Sequence, residues 1–301
     1  MRPAWSIIFF TSSSGLGLGL AAWVVLGFLE LGNPVHLLGI AGFTLVLTGA
    51  GLLSSTLHLG HPERAWRALS QWRSSWLSRE GVLAVLAMAG LALWFGYIYV
   101  YGAWPPMWAS LILVALIAAT VYATSMIYAS LKTVARWHHP LTPLCYLMFA
   151  AAGGLLAVVW LMAVIGQRAD AAIVQATLVL MASAWGVKIA WWRVAGTTGA
   201  PSTIETATGL GGFGEVRSLM PPHTSENYLQ HEMGFKIARK HATKLRAFAL
   251  GLGAIVPLVL LALAPLSPVL VGVALLSHVA GVFVERWLFF AEAKHVVTLY
   301  Y

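Results

Sequence analysis

The sequence predicts an all-α integral membrane protein, a bundle of eight transmembrane helices, and three observations carry that prediction. Of the 301 residues, 59% are hydrophobic and only 9% charged, against roughly 25% charged in soluble domains. Eight apolar runs are each long enough to cross the hydrocarbon of a bilayer, which takes about 20 helical residues. Almost all basic residues fall in alternate connections, as they do when a chain crosses a membrane repeatedly.

The first run, 6–29, exceeds the apolar core of a signal peptide and lacks a clear small-residue cleavage site, so it is expected to remain as a span. Gly32-Asn33-Pro34 separates it from the second, 35–57, and the third is 80–101. Pro105-Pro106 precedes the fourth, 107–131, and Pro140 the fifth, 142–166. The sixth is 170–192, the seventh 245–264 and the eighth 268–290, with Pro265 and Pro268 between the last two. Residues 1–301 read as a single transmembrane domain with a long polar loop at about 193–244. The glycine-rich run 209–214 has no preceding strand and no following Gly-Lys-Ser/Thr, so it reads as a connector and not a phosphate loop. Residues 226–246 mix apolar side chains with cations, the pattern of an interfacial helix leading into the seventh span.

With eight spans, connections two, four and six share one side with both termini. That side takes Arg64, Arg67, Arg73 and Arg79, then Lys132 and Arg136, then Lys188, Arg193, Arg217, Lys236, Arg239, Lys240, Lys244 and Arg246. Arg2, Arg286 and Lys294 bring the total to 17 of the 18 Lys and Arg residues, leaving Arg168 opposite. The positive-inside rule makes this side cytoplasmic in a multi-pass protein of the inner membrane. The net charge of +8 is therefore read as topology and contact with membrane lipid. It is not read as a nucleic-acid surface, because the cations flank helix ends.

The segment Thr56 to Arg67 is the most distinctive. From Pro62, a helix at about 100° per residue places Ala65, Trp66, Ala68, Leu69, Trp72 and Trp76 on one face, with Arg64, Arg67, Gln71 and Ser74 opposite, so a short α-helix is expected at the membrane surface. His58 ends the second span and Glu80 starts the third, at the same membrane face. An imidazole and a carboxyl at that depth suit hydrogen bonding to a quinone oxygen and proton exchange with water. The residues alone leave a second reading open, in which His58 caps its helix and Glu80 pairs with Arg79 or Arg64.

The single cysteine, Cys145, cannot form a disulfide within the chain or hold an iron–sulfur cluster, which takes about four thiolates. Most of the ten histidines fall outside the spans, so haem is not expected, and no ligand spacing points to a metal. Lys188, His278, Glu285, Arg286 and Glu292 lie within or beside spans. Those at the end of the last span are read as interfacial ion pairs.

The stretch Leu57-His58-Leu59-Gly60-His61-Pro62 with Arg64-Ala65, followed by Leu77-Ser78-Arg79-Glu80, resembles the dimethyl sulfoxide reductase membrane-anchor family. Met1-Arg2-Pro3-Ala4-Trp5-Ser6, Pro221-Pro222-His223-Thr224, Lys236-Ile237-Ala238-Arg239-Lys240-His241 and the segment from Glu285 to Glu292 extend the resemblance along the chain. It is nearest to the anchors of cytoplasmic sulfite dehydrogenases, a subgroup of that family. The resemblance implies eight helices without haem or an iron–sulfur cluster, an iron–sulfur subunit and a molybdopterin catalytic subunit as partners, and menaquinone or ubiquinone as the membrane substrate. It assigns the quinone site to His58 and Glu80, with Glu80 as proton relay and Arg64 and Arg79 in support. Such a chain does not itself act on the complex's main substrate, and it serves sulfite oxidation or sulfoxide reduction. A secondary transporter, or an anchor with no quinone site, are the competing classes; the first requires inverted repeats and broken helices.

Overall fold

The structure, a computed structural model, describes residues 3–57, 60–195, 202–217, 219–220 and 237–299. Among them are eight helices long and apolar enough to cross a membrane. These are α1 (Trp5–Val25), α2 (Pro34–Ser54), α3 (Trp76–Tyr101), α4 (Met107–Ala129), α5 (Leu141–Val164), α6 (Ala171–Val194), α7 (His241–Leu263) and α8 (Pro268–Ala291). The count agrees with the sequence reading.

Local chemistry sets the ends. Asn33 caps α2 by accepting from the Val35 amide at 2.8 Å, and Asp170 caps α6 through Ile173 at 2.8 Å. Ser267 caps α8, whose first residue is Pro268. Gly27, at φ +87°, follows the end of α1 and accounts for its stopping short of the expected residue 29. Helix α3 starts four residues earlier than expected, because Ser75 accepts from the Ser78 amide and serves as its cap. Glu80 is thereby carried into the second turn.

The surface segment Pro62–Gln71 is helical, but it is a 3-10 helix and not the α-helix expected. At three residues per turn, Trp66, Leu69 and Trp72 fall in one row. All three are exposed, and none of the segment's residues is buried. Leu69 rests against Gly81 at the start of α3, where a Cβ would come within 2.8 Å of its methyl. In the long loop, the expected interfacial helix at 226–246 falls partly outside the described residues; helix is present from Ile237 onward.

Successive helices alternate direction. Ser54 at the end of α2 donates to the Ser6 carbonyl at the start of α1 (3.2 Å). At the other end, Gln167 after α5 and Glu30 after α1 bond each other reciprocally. Helix α1 is the hub, packed on α2, α4, α5 and α8. Its Gly19 meets the Ala150 carbonyl and Gly154 of α5 so closely that neither glycine has room for a Cβ, the small-residue packing by which membrane helices approach.

Helix α7 is irregular for a reason legible in one residue. Pro257 has no N–H, so the carbonyls four and five positions earlier, Gly253 and Leu252, lose their donor. The helix widens into a π turn over Gly251–Ile255. Helix α8 supplies the missing donors: Ser277 bonds the Leu252 carbonyl at 2.7 Å and His278 Nδ1 bonds that of Gly253 at 2.7 Å. Gly253 and Gly281 are pressed backbone to backbone beside them.

Candidate functional site

Glu80 is 5% exposed, and its carboxyl shares a hydrogen bond with the Thr124 hydroxyl of α4. The Thr124 hydroxyl also lies 3.1 Å from the Thr120 carbonyl. This geometry serves both protonation states. When Glu80 is a carboxylate, Thr124 donates to it. When Glu80 is an acid, its O–H donates to Thr124, which turns its own proton to Thr120. Among the described residues no lysine or arginine pairs with Glu80.

The two arginines expected to support it are engaged elsewhere. Arg79 donates to the Trp72 and Arg73 carbonyls at 3.0 and 2.7 Å and lies 4.3 Å from the Trp76 ring centre. It ties the surface helix to the start of α3. Arg64 is exposed beside Glu63 at 3.6 Å. His58 lies outside the described residues. The reading in which Glu80 pairs with Arg79 or Arg64 is therefore not what the structure has. The partner it has, Thr124, carries no charge and belongs to no motif that would single it out. A threonine in an otherwise apolar span, one turn after Thr120, is the available signal in the sequence.

Two further charge clusters flank this point. Lys188 of α6 and Glu285 of α8 form an ion pair at 2.5 Å, both fully buried, with Arg286 Nη1 3.5 Å from the other carboxylate oxygen. Lys188 sits 3.6 Å from the Trp191 ring centre and Arg286 3.7 Å from that of Tyr146. The expected interfacial pairs are thus interior ones for Glu285 and Arg286. Glu292, at the end of α8, takes two bonds from Arg246 at 3.0 and 2.8 Å and one contact from Arg136 at 2.6 Å. Burial pushes the Arg136 guanidinium below its ordinary value, against the opposing pull of Glu292. Glu292 therefore clamps α7, α8 and the connection after α4 together. Among the described residues no group of three or more His, Cys, Asp or Glu is arranged to hold a metal ion.

With the eight spans and this buried carboxyl in view, the comparison with known families is decisive. The family described as DMSO reductase anchor subunit (DmsC) matches residues 1–291. The chain belongs to that family. The anchor is also similar to a sulfite dehydrogenase subunit of Allochromatium vinosum, 32% identical over all of this chain and 99% of that one. No solved structure matches it. The anchor is thus a multi-pass membrane subunit of a molybdoenzyme oxidoreductase complex, and an anchor implies catalytic and iron–sulfur partners. Family membership separates it from the secondary transporters.

Proposed function

We propose that the anchor exchanges two electrons and two protons between a membrane quinone and the nearest iron–sulfur cluster of its partner. The observation that carries this is Glu80: a buried carboxyl one turn into a span, bonded to a hydroxyl and, among the described residues, to no cation. An ion-paired carboxylate is fixed as an anion, whereas one facing only a hydroxyl takes up and releases a proton with little rearrangement. The residues fit a quinone, which needs a proton-exchanging group near headgroup depth beside apolar surface; Trp66, Leu69 and Trp72 provide that surface next to the start of α3. Quinone, menaquinone or ubiquinone, is the substrate that carries the electrons.

In this reading His58 bonds one quinone oxygen and Glu80 gives or takes the proton at the reacting oxygen, with Thr124 holding the carboxyl in either state. Arg79 positions the surface helix against α3, and Arg64 lies on the same exposed segment. The basic side faces the cytoplasm, where the iron–sulfur subunit and the molybdopterin subunit dock. The kinship with a sulfite dehydrogenase subunit supports sulfite oxidation, with electrons entering the quinone pool, over sulfoxide reduction.

Glu80→Gln in the assembled complex keeps the shape and removes the proton. Since general acid–base catalysis contributes about 10²-fold or more, quinone-linked turnover should fall by about that factor while turnover with an artificial electron acceptor stays unchanged. Unaltered quinone-linked turnover would overturn the assignment. Sulfite-dependent quinone reduction by membranes containing the complex tests the direction, and sulfoxide-dependent quinol oxidation in its place would reverse it.

A further inference from the structure

Between α1, α4, α5 and α8 lies a small cavity of about 30 Å³, reached from Glu80 through Thr124, with a largely apolar lining that carries a few polar groups. At ~10–15 Å³ per molecule it holds about two waters. Its lining includes Ser12, Thr124, Tyr146, Gly153, His278 and Arg286. The hydroxyls of Ser12 and Tyr146, Nε2 of His278 and Nε of Arg286 are all buried, and none has a hydrogen-bond partner among the described residues. Buried polar atoms gathered round a space of this size are the setting in which proteins hold ordered water.

The tautomer of His278 follows from its neighbour. The Gly253 carbonyl can only accept, so Nδ1 carries the hydrogen of the 2.7 Å bond and Nε2 keeps a lone pair. That lone pair faces the cavity, since a Cβ on Gly153 would lie 3.3 Å from Nε2. Glu80 reaches the same cavity through Thr124.

We propose that His278 is the inner proton-exchanging group of the anchor, trading protons with Glu80 through the Thr124 hydroxyl and water held in this cavity, as donor when quinone is reduced and as acceptor when quinol is oxidised. The inference rests on the assignment of Glu80 to quinone proton transfer. When a quinol is oxidised and its two electrons leave one after the other through the partner's iron–sulfur cluster, the Glu80 carboxylate takes one proton from a quinol O–H. Thr124 and the cavity water hand it to the Nε2 lone pair, giving an imidazolium that keeps its Gly253 bond. Glu80, again a carboxylate, takes the second proton. Quinone reduction runs the same transfers backwards. Moving the proton from Glu80 to His278 leaves the net charge of the cluster unchanged. The cluster of Lys188, Arg286 and Glu285 has one cation in excess, which favours a carboxylate at Glu80 and opposes a lasting imidazolium at His278, so His278 holds its proton only until Glu80 has released its own to water at the membrane face and takes it back through Thr124.

Two variants of the assembled complex test this. His278→Gln removes the titrating lone pair, and Gly153→Ala puts a methyl against Nε2 while its other neighbour, the Leu16 methyl at 3.1 Å, is free to yield. Both should lower quinone-linked turnover about tenfold, within the range of a lost proton relay, and raise its solvent deuterium isotope effect. Binding of a fluorescent quinol analogue should stay within about twofold, as expected for a group that does not touch the substrate. A structural role for His278 would leave the isotope effect unmoved. If both variants turn over normally while Glu80→Gln is inactive, the relay is wrong and the quinone site stands. If Glu80→Gln is itself active, the underlying assignment fails. If His278→Gln does not assemble, Gly153→Ala decides, since it leaves every polar group in place.

Discussion

Glu80 and Glu285 are both carboxyl groups removed from water, and their partners give them different work. Glu285 faces Lys188 at 2.5 Å and Arg286 at 3.5 Å, so its carboxyl is locked between two cationic side chains and links α6 to α8. Breaking one side of such a pair leaves an uncompensated charge, at a cost of about 3–5 kcal/mol. Lys188→Met should therefore lower the melting temperature of the purified complex and reduce the amount of anchor retained in the membrane. An unchanged melting profile would show that the pair is not structural. Thr124→Val tests the other carboxyl: it keeps the side-chain volume but takes away the hydroxyl bonded to Glu80. Quinone-linked turnover is expected to drop about tenfold with the melting temperature held, so the two substitutions should separate a stability effect from a proton-transfer effect.

At the level of the helices, the close approach of α1 and α5 decides where the cavity and its polar groups sit. Gly19 and Gly154 meet backbone to backbone, and overpacking such a contact costs about 1–3 kcal/mol when side chains can yield. Here backbone stands in the way. Gly154→Leu should deplete the assembled anchor from membranes, whereas Gly96→Leu, where nothing lies within 4 Å of an added Cβ, should not; equal levels of the two would refute the packing argument. The helices themselves were legible because length and apolarity are local properties, and Gly32-Asn33-Pro34 and Pro105-Pro106 mark ends by their own local chemistry. The surface helix was recognised, but its type was not, since Trp66, Leu69 and Trp72 fall on one side at either 100° or 120° per residue. The union of Glu80 with Thr124 was not legible either. It depends on which turn of α4 faces α3, and the two alternatives, Thr120 and Thr124, carry the same side chain.

The charge of the whole molecule is asymmetric between its two ends, and the proposed docking face is the basic end. The alternation of helices brings connections two, four and six to one end, where the Val296 amide bonds the Thr133 carbonyl at 3.0 Å and ties the C-terminal segment to connection four. Seventeen of the 18 basic residues belong to that end in the sequence count, and the positive-inside rule then predicts that this end is cytoplasmic. The chain offers a clean way to test this, because its single cysteine is 2% exposed within α5 and should not react with a reagent confined to water. Ser70→Cys places a thiol on the exposed surface helix, and Ala103→Cys places one in the connection between α3 and α4 at the opposite end. In intact cells with a permeabilised outer envelope, a membrane-impermeant maleimide should label Ala103→Cys alone; Ser70→Cys should react only after the inner membrane is opened. The reverse pattern would put the surface helix, Glu80 and the docking face on the outer side, and the iron–sulfur partner would have to be sought there.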